Sequence, residues 1–440
     1  MNGPRLGWAW LRRWWIPASA ALTMVAVAGA EVIRVEIDYM GSNGDHDHKP
    51  DPLVLESVEK MFQCGGHTLI LELGDEIEHH DALVGGPPEA PCGKNRADWF
   101  AYAGAPNSFG AIRDEYRDHG DGWHYALFGH QIYAYYGAGD TTLCGQVGWS
   151  GRASRIDEFV VSLGGPSFAP KGTPFEQAAT LAHELGHNLG LSHCGLYSHE
   201  VAGLCDWDNL PGYIGPFAFN VPSVMSYRYQ VRGIRTQMLE DELIFSGVLL
   251  KEMDYSRGRM CSLNEQDLDE NRGSSMKSVD FDCDGQLEAS VAQGLNASKT
   301  WCNGEDPVLN ELYDYNQWAN IVDGAQLLLR GDFASRRELG LRKLLPLASC
   351  GMPGVFRGAG AGDQPELKLE PCFIGDNIYV ESGGSEGNGV CDSPYGNLQE
   401  AHDQSADYSA FFLQPGAYGG TELLSRPGVY HSRAGISVVR

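Results

Sequence analysis

Apolar and polar positions near the N-terminus follow the pattern of an α/β domain. The run "EVIRVEIDYM" has apolar residues at Val32, Ile33, Val35 and Ile37, which predicts a strand. "PLVLESVEKMF" then has apolar residues at helical spacing, and "HTLILEL" predicts the next strand. The order strand, helix, strand predicts a β-α-β opening.

The same kind of pattern continues to about residue 255. "SFGAIRDEYRD" predicts a further helix, and "WHYALFGHQIYAYY" and "DEFVVSL" predict two strands. We therefore expect an α/β fold over residues 31–255, with a twisted mixed sheet and helices packed on it.

The composition and periodicity of the chain change after about residue 255. Residues 256–330 are rich in acids and weakly periodic, which predicts a second, loop-dominated module. Residues 331–440 are rich in glycine and turn formers, and this pattern fits either small β structure or disorder.

The first thirty residues have the organisation of a secretory signal peptide. Three arginines precede an apolar stretch from Trp14 to Ala30, and the small residues at its end fit cleavage after Ala30. The alternative is a membrane anchor, but a spanning helix needs roughly 20 apolar residues and Pro17 interrupts this stretch. We expect residues 1–30 to be removed and the mature chain to be secreted.

The charge of the chain argues against two classes of partner. The whole chain has a net charge of -26, and residues 1–30 hold three Arg and no acid, so the mature chain carries -29. Such a surface repels phosphate backbones and anionic lipids. We expect no nucleic acid partner, and no membrane partner once the signal is cleaved.

The cysteines point to an oxidising compartment. There are 11 of them, with no CxxC pair, which suits disulfides better than a thiolate metal site. Cys194 with Cys205, and Cys283 with Cys302, are close enough in sequence to close local loops, although the pairing stays open.

One helix is marked at both ends by its sequence. In "GTPFEQAATLAHELGHNLG", Thr173 fits the N-cap, Pro174 the first helical position and Glu176 the carboxylate of a capping box. Gly190 fits a left-handed turn that ends the helix. We predict a helix from Pro174 to Leu189.

This helix carries the pattern of a metal site. His183 and His187 are four residues apart, so their rings project from one face. A tetrahedral zinc ion needs a third ligand from another direction, and Gly190 lets the chain reverse so that His193 can supply it. The alternative, ordinary helix histidines, suits a single histidine better than the full string His183-Glu184-x-x-His187-x-x-Gly190-x-x-His193.

That string resembles the metzincin zinc endopeptidases, whose second mark is a methionine turn downstream. "NVPSVMSYRYQ" supplies a methionine, Met225, 32 residues after His193. The resemblance implies that Met225 forms an apolar floor beneath the ion. It also implies that Tyr227 contacts zinc or the reacting carbonyl, as in the astacin-like and serralysin-like members. The chain is similar as well to exported bacterial metalloprotease-like proteins.

The expected function is that of a secreted zinc-dependent endopeptidase acting on protein or peptide substrates. Three neutral imidazoles leave one coordination position for water, whose pKa zinc lowers from about 15.7 toward 7. Glu184 is the expected general base. Two alternatives stay open: an exported calcium-binding or adhesion protein with a non-catalytic metzincin scaffold, and a zinc hydrolase of a non-peptide amide.

A second, weaker metal pattern lies in "DFDCDGQLE". Asp280, Asp282 and Asp284 alternate, with Gly285 at the sixth place, as in the first half of an EF-hand-like calcium loop. Position twelve is Val291, where that pattern has a glutamate. The segment predicts a structural calcium site, with a plain acidic turn as the alternative.

The remaining histidines are interpreted without a metal. "GDHDHKP" places His46 and His48 two residues apart, and we favour an exposed polar loop over a second metal site. The same interpretation covers His79, His80, His119, His124 and His130.

Overall fold

The computed structural model describes residues 32–136, 143–193 without 155, 166, 167 and 169, 195–196, 217–241 without 218, 243, 250–274, 277–295, 309–323 without 310 and 322, 365–369, 377–381, 387–414 without 389 and 406–408, and 429–432. Residues 1–30, Cys194, Cys205 and Cys302 lie outside these ranges, so the predictions made for them stay predictions.

The N-terminal elements alternate between strands and helices. In chain order they are β1 (Val32–Met40), α1 (Pro52–Cys64), β2 (Thr68–Ile77), α2 (Arg96–Ala101), α3 (Phe109–Tyr116), β3 (His124–Gly129), β4 (Ile132–Tyr136), β5 (Leu143–Val147), β6 (Gly151–Ala153), β7 (Glu158–Ser162) and α4 (Pro174–Asn188). The predicted β-α-β opening and the helix at 109–116 are confirmed. "WHYALFGHQIYAYY" forms two strands, β3 and β4, because the chain turns at His130.

The central sheet has the strand order β2-β1-β3-β7-β6. Its first four strands are parallel, and β6 pairs with β7 antiparallel. The structure is therefore a mixed α/β fold with a largely parallel sheet, as the sequence predicts. In the described part of the chain, β6 is an edge strand of this sheet, at the end against which α4 packs.

Two apolar cores lie on the two faces of this sheet. Ile33, Val35 and Ile37 point to one face, where side chains of α1 and α4 cover them. The opposite face has Tyr125 and Leu127, which pack with side chains from α2 and α3. Alternation along the strands thus gives a sheet covered on both sides, as parallel sheets require.

The C-terminal part contains shorter elements. They are β8 (Leu191–Ser192), β9 (Gly195–Leu196), α5 (Ile234–Glu240), β10 (Leu263–Asn264), β11 (Glu311–Leu312), β12 (Asn377–Val380), α6 (Leu398–Gln404), β13 (Ala410–Leu413) and β14 (Val429–Ser432). Strands β12, β13 and β14 form a parallel sheet. The described part of the glycine-rich region is therefore small β structure with one helix.

A third core crosses the expected boundaries at residues 255 and 330. It joins Phe219 and Tyr229 to Leu263 and to Tyr379 and Phe412 from the C-terminal region. The indole of Trp318 also packs edge-on against Phe62 in the N-terminal core. These contacts connect the acidic segment to both neighbours, while the domain boundaries stay a prediction.

Disulfides join distant parts of the chain. Cys92 is bonded to Cys144, and Cys261 to Cys391, across sequence separations of 52 and 130 residues. Cys64 and Cys283 are also disulfide-bonded. These bonds fit the oxidising compartment expected from the sequence. Among the residues that the structure describes, no helix is long and apolar enough to cross a membrane.

Asp38 on β1 gives the sheet a testable pH dependence. Its carboxylate accepts hydrogen bonds from the Tyr125 hydroxyl at 2.8 Å and the Asp75 amide at 2.7 Å. Burial nevertheless raises its pKa from 3.8 to about 6. Because the folded pKa lies above the unfolded one, the protein loses stability as pH rises from 3.8 through 6.

We expect Asp38→Asn to remove this loss, because the amide keeps an oxygen for Asp75 and does not ionise. Urea unfolding of both proteins between pH 4 and 7 measures it. The free energy of unfolding of the variant, relative to the wild type, should rise up to about pH 6 and then level off. A difference that is the same at every pH would contradict the assignment.

Candidate metal centre

Helix α4 forms as its sequence predicts. The Thr173 hydroxyl accepts a hydrogen bond from the Glu176 amide at 3.2 Å, and the Glu176 carboxylate accepts one from the Thr173 amide at 2.7 Å. This capping box satisfies two donors that the first turn leaves unpaired. The helix ends with Leu189 as C-cap, and Gly190 has the predicted left-handed conformation, with φ of 85°.

The structure brings the three predicted histidines together. Strand β8 follows Gly190 and directs the chain back toward the helix. The Nε2 atom of His193 lies 3.0 Å from that of His187 and 3.2 Å from that of His183. A tetrahedral metal with bonds of about 2.0–2.1 Å to imidazole places its donor atoms about 3.3 Å apart. These three side chains are buried and can hold one metal ion.

Backbone carbonyls orient two of the rings. The Nδ1 atom of His183 donates to the Val224 carbonyl at 2.8 Å, and that of His187 donates to the Leu191 carbonyl at 3.0 Å. Each donation places the proton on Nδ1 and leaves the Nε2 lone pair facing the other rings. Burial also lowers the pKa of His183 to about 4, so its ring is neutral at neutral pH. The sequence pattern did not identify these two carbonyls.

Met225 packs against helix α4 at Gly186. It is fully buried, and a Cβ atom added to Gly186 would lie 2.4 Å from its Sδ atom. Gly186 stands between the two helix histidines, so the absence of a side chain there lets the thioether approach the helix. The Ser223 hydroxyl accepts a hydrogen bond from the Met225 amide at 3.0 Å. Met225 therefore lies against the turn of α4 that carries His183 and His187, while the apolar floor that the resemblance implies stays a prediction.

Tyr227 and Glu184 flank the histidines. The Tyr227 ring lies with its centroid 4.2 Å from that of His193 and 5.6 Å from that of His183. Glu184 is buried, and a Cβ atom at Gly151 would lie 2.6 Å from its Oε1 atom. The carboxylate therefore lies against edge strand β6. Gly151 is a site residue that no sequence motif marked.

The acidic loop, residues 280–288, also brings carboxylates together. Asp280 and Asp282 can share an ion with Glu270, and Asp282 and Asp284 with Glu288; within each set the ligand oxygens lie within 4.8 Å of one another. Sequence reasoning missed both glutamates, because Glu270 precedes the loop and Glu288 stands at position nine, whereas the glutamate was expected at position twelve.

A left-handed glycine, Gly285, shapes the backbone of this loop. Gly285 has a φ of 89°, and its amide donates to the Asp280 carboxylate at 2.9 Å. Val291, at position twelve, pairs with Leu268 through backbone hydrogen bonds. The side chain of Glu270 is fully buried and accepts a hydrogen bond from the Glu288 amide at 2.9 Å.

Comparison with known proteins adds no family to these observations. No protein-family model matches the chain, and neither the curated proteins nor the solved structures compared with it gave a match. The assignment of the site therefore depends on its own geometry and chemistry.

The turn at Gly190 is the local feature on which the third histidine depends. Replacing Gly190 by Ala should lower the free energy of unfolding by about 1–2 kcal/mol, because a Cβ atom is strained in the left-handed region. It should also weaken zinc binding, since His193 follows three residues later. Urea unfolding and competition with a zinc chelator measure the two effects.

Two matched variants control this experiment. Gly190→Asn should fall between the wild type and Gly190→Ala, because asparagine tolerates the left-handed region better. Gly120→Ala should change neither property, because a Cβ atom there meets nothing within 4 Å. Equal zinc affinity for Gly190→Ala and the wild type would show that the turn does not position His193.

Proposed function

We propose that this protein is a secreted zinc-dependent endopeptidase with a metzincin-like catalytic domain. The observation that carries the proposal is the convergence of the three Nε2 atoms of His183, His187 and His193, with Glu184 on the same helix. The disulfides and the signal-peptide pattern support export.

The donor set fits zinc. Three neutral imidazole nitrogens suit a borderline metal such as Zn²⁺, whereas hard cations prefer oxygen ligands. Three protein ligands leave one position of a tetrahedral ion open, which is the arrangement of catalytic rather than structural sites. When bound, zinc polarises a carbonyl group and lowers the pKa of water.

Two side chains have roles in the reaction. The Glu184 carboxylate accepts the proton of the attacking water and delivers it to the leaving amine nitrogen. Its burial keeps the carboxylate out of bulk water. The Tyr227 hydroxyl donates a hydrogen bond to the oxygen on which negative charge develops, the role that the metzincin resemblance implies.

The edge strand favours a peptide substrate over other amides. Strand β6 lies beside Glu184 and is the last strand of the sheet order among the described residues. An edge strand presents backbone groups to which an extended peptide can pair as an additional strand. Such pairing would place a peptide bond beside the histidines independently of its side chains.

The peptidase proposal is tested by removing the base and keeping the metal ligands. Glu184→Gln should lower kcat/KM on casein and on peptides about 10²–10⁴-fold, because the amide does not accept the proton. Zinc content should stay at the wild-type level. Glu56→Gln, an exposed change on α1, is the matched control and should keep full activity.

The same assay separates the alternative functions. Cleavage by Glu184→Gln at the wild-type rate would remove Glu184 from the mechanism. A wild-type protein that binds zinc and hydrolyses small non-peptide amides, but never casein or peptides, would indicate the non-peptide hydrolase. A zinc-loaded protein inactive on every amide would indicate the non-catalytic scaffold.

For the acidic loop we infer a structural calcium site at Asp280, Asp282 and Asp284, with Glu270 or Glu288 as a further ligand. Oxygen ligands of this kind suit Ca²⁺, and the ion would order a segment with little regular secondary structure. The support is the convergence of the loop carboxylates with a glutamate from outside the loop.

Thermal unfolding of the full zinc-loaded chain tests the calcium site. Calcium at about 100 times its Kd should stabilise the wild type by about 2.7 kcal/mol and so raise Tm. Asp282→Asn should lose most of this response, and the exposed control Asp121→Asn should keep it. A Tm that calcium raises equally in Asp282→Asn, or not at all in the wild type, would contradict the site.

A further inference from the structure

Four histidines outside the proposed catalytic site converge at one end of the central sheet. His46 and His48 lie in the loop after β1, His79 lies just after β2, and His130 follows β3. These strands are neighbours in the parallel sheet, so their carboxyl ends lie side by side. His48 is buried and the other three are half-buried, unlike the exposed polar residues expected from the sequence.

The facing nitrogens have the spacing of a metal site. His130 Nδ1 lies 3.1 Å from His46 Nε2 and 3.2 Å from His48 Nε2, and His48 Nε2 lies 3.3 Å from His79 Nε2. One nitrogen from each ring lies within 4.8 Å of all the others. Tetrahedral zinc places its nitrogen ligands about 3.3 Å apart, close to these distances.

Hydrogen bonds between the rings cannot satisfy all of these close nitrogen–nitrogen contacts. His48 Nε2 and His130 Nδ1 each face two neighbours, but a ring nitrogen carries only one proton or one lone pair. Each of them must therefore share that proton or lone pair between two contacts. A cation between the rings would accept a lone pair from all four nitrogens at once.

The residues next to the four histidines leave the space between the rings open. The carboxylate of Asp47, between two of the histidines, instead accepts hydrogen bonds from Lys171 Nζ at 2.9 Å and the Lys49 amide at 3.2 Å. A Cβ atom at Gly164 would lie 2.2 Å from His130 Nδ1, so only glycine leaves room for this ring.

We propose that His46, His48, His79 and His130 bind a second zinc ion in a closed, four-imidazole site. Four protein ligands leave no coordination position for water or substrate, so the role of this site is structural. The ion would fasten together the loops that follow β1, β2 and β3. It would stabilise the folded chain, because an unfolded chain does not preform the site.

The number of zinc ions per chain tests this proposal. The full chain is loaded with Zn²⁺ and desalted, and the bound zinc is counted by native mass spectrometry and elemental analysis. We expect two ions in the wild type, one in the double variant His79→Ala/His130→Ala, which keeps only two of the four rings, one in His183→Ala and none when all three changes are combined. His80→Ala, the neighbouring histidine outside the cluster, should keep two.

The outcomes distinguish this site from the proposed catalytic one. No zinc in His183→Ala, or two ions in His79→Ala/His130→Ala, would overturn the four-histidine site whatever the activity of the protein. One ion in wild type that is lost in His79→Ala/His130→Ala and kept in His183→Ala would support it and contradict the catalytic centre instead.

A stability measurement keeps the test valid if a variant folds poorly. Zinc should raise the Tm of His183→Ala, in which only the four-histidine site remains, and should not raise that of His183→Ala with His79→Ala and His130→Ala. The single ion retained by His79→Ala/His130→Ala reports that its fold is intact. An equal response of the two His183→Ala proteins to zinc would overturn the proposal.

Discussion

The candidate metal centre depends on the direction in which the lone pairs of three imidazole rings point. His183 and His187 are one helical turn apart, and their Nδ1 protons go to the carbonyls of Val224 and Leu191, so the Nε2 atoms face inward. Val224 is itself held by its neighbours, since its amide donates to the Asp254 carbonyl at 2.9 Å. The core beneath the helix therefore sets the geometry of the site as much as the helix does.

The central sheet connects the two histidine groups. One group is on and just after helix α4, which covers one face of the sheet near edge strand β6. The other group is at the carboxyl ends of β1, β2 and β3. Three ligands with a neighbouring carboxylate leave room for a substrate, whereas four ligands close the coordination sphere. Under the two proposals, the same side-chain chemistry supports a reactive site in one place and a structural one in the other.

Sequence patterns predicted the parts of the molecule that are local. The cap formed by Thr173 and Glu176, the turn at Gly190 and the spacing of the helix histidines lie within about twenty residues, so their geometry follows from helix periodicity. The four-histidine group did not follow in this way, because His46 and His130 are 84 residues apart and meet only when β1 and β3 pair. Gly151 and Glu270 were missed for the same reason. Each contributes through a contact formed in the folded chain.

Anomalous X-ray diffraction at the zinc edge, on crystals of zinc-loaded protein, shows whether the three rings on and after α4 hold one ion. We expect a peak at about 2.0–2.1 Å from the Nε2 atoms of His183, His187 and His193. Crystals of loaded protein with no peak between these rings, or with the three Nε2 atoms turned away from one another, would contradict it.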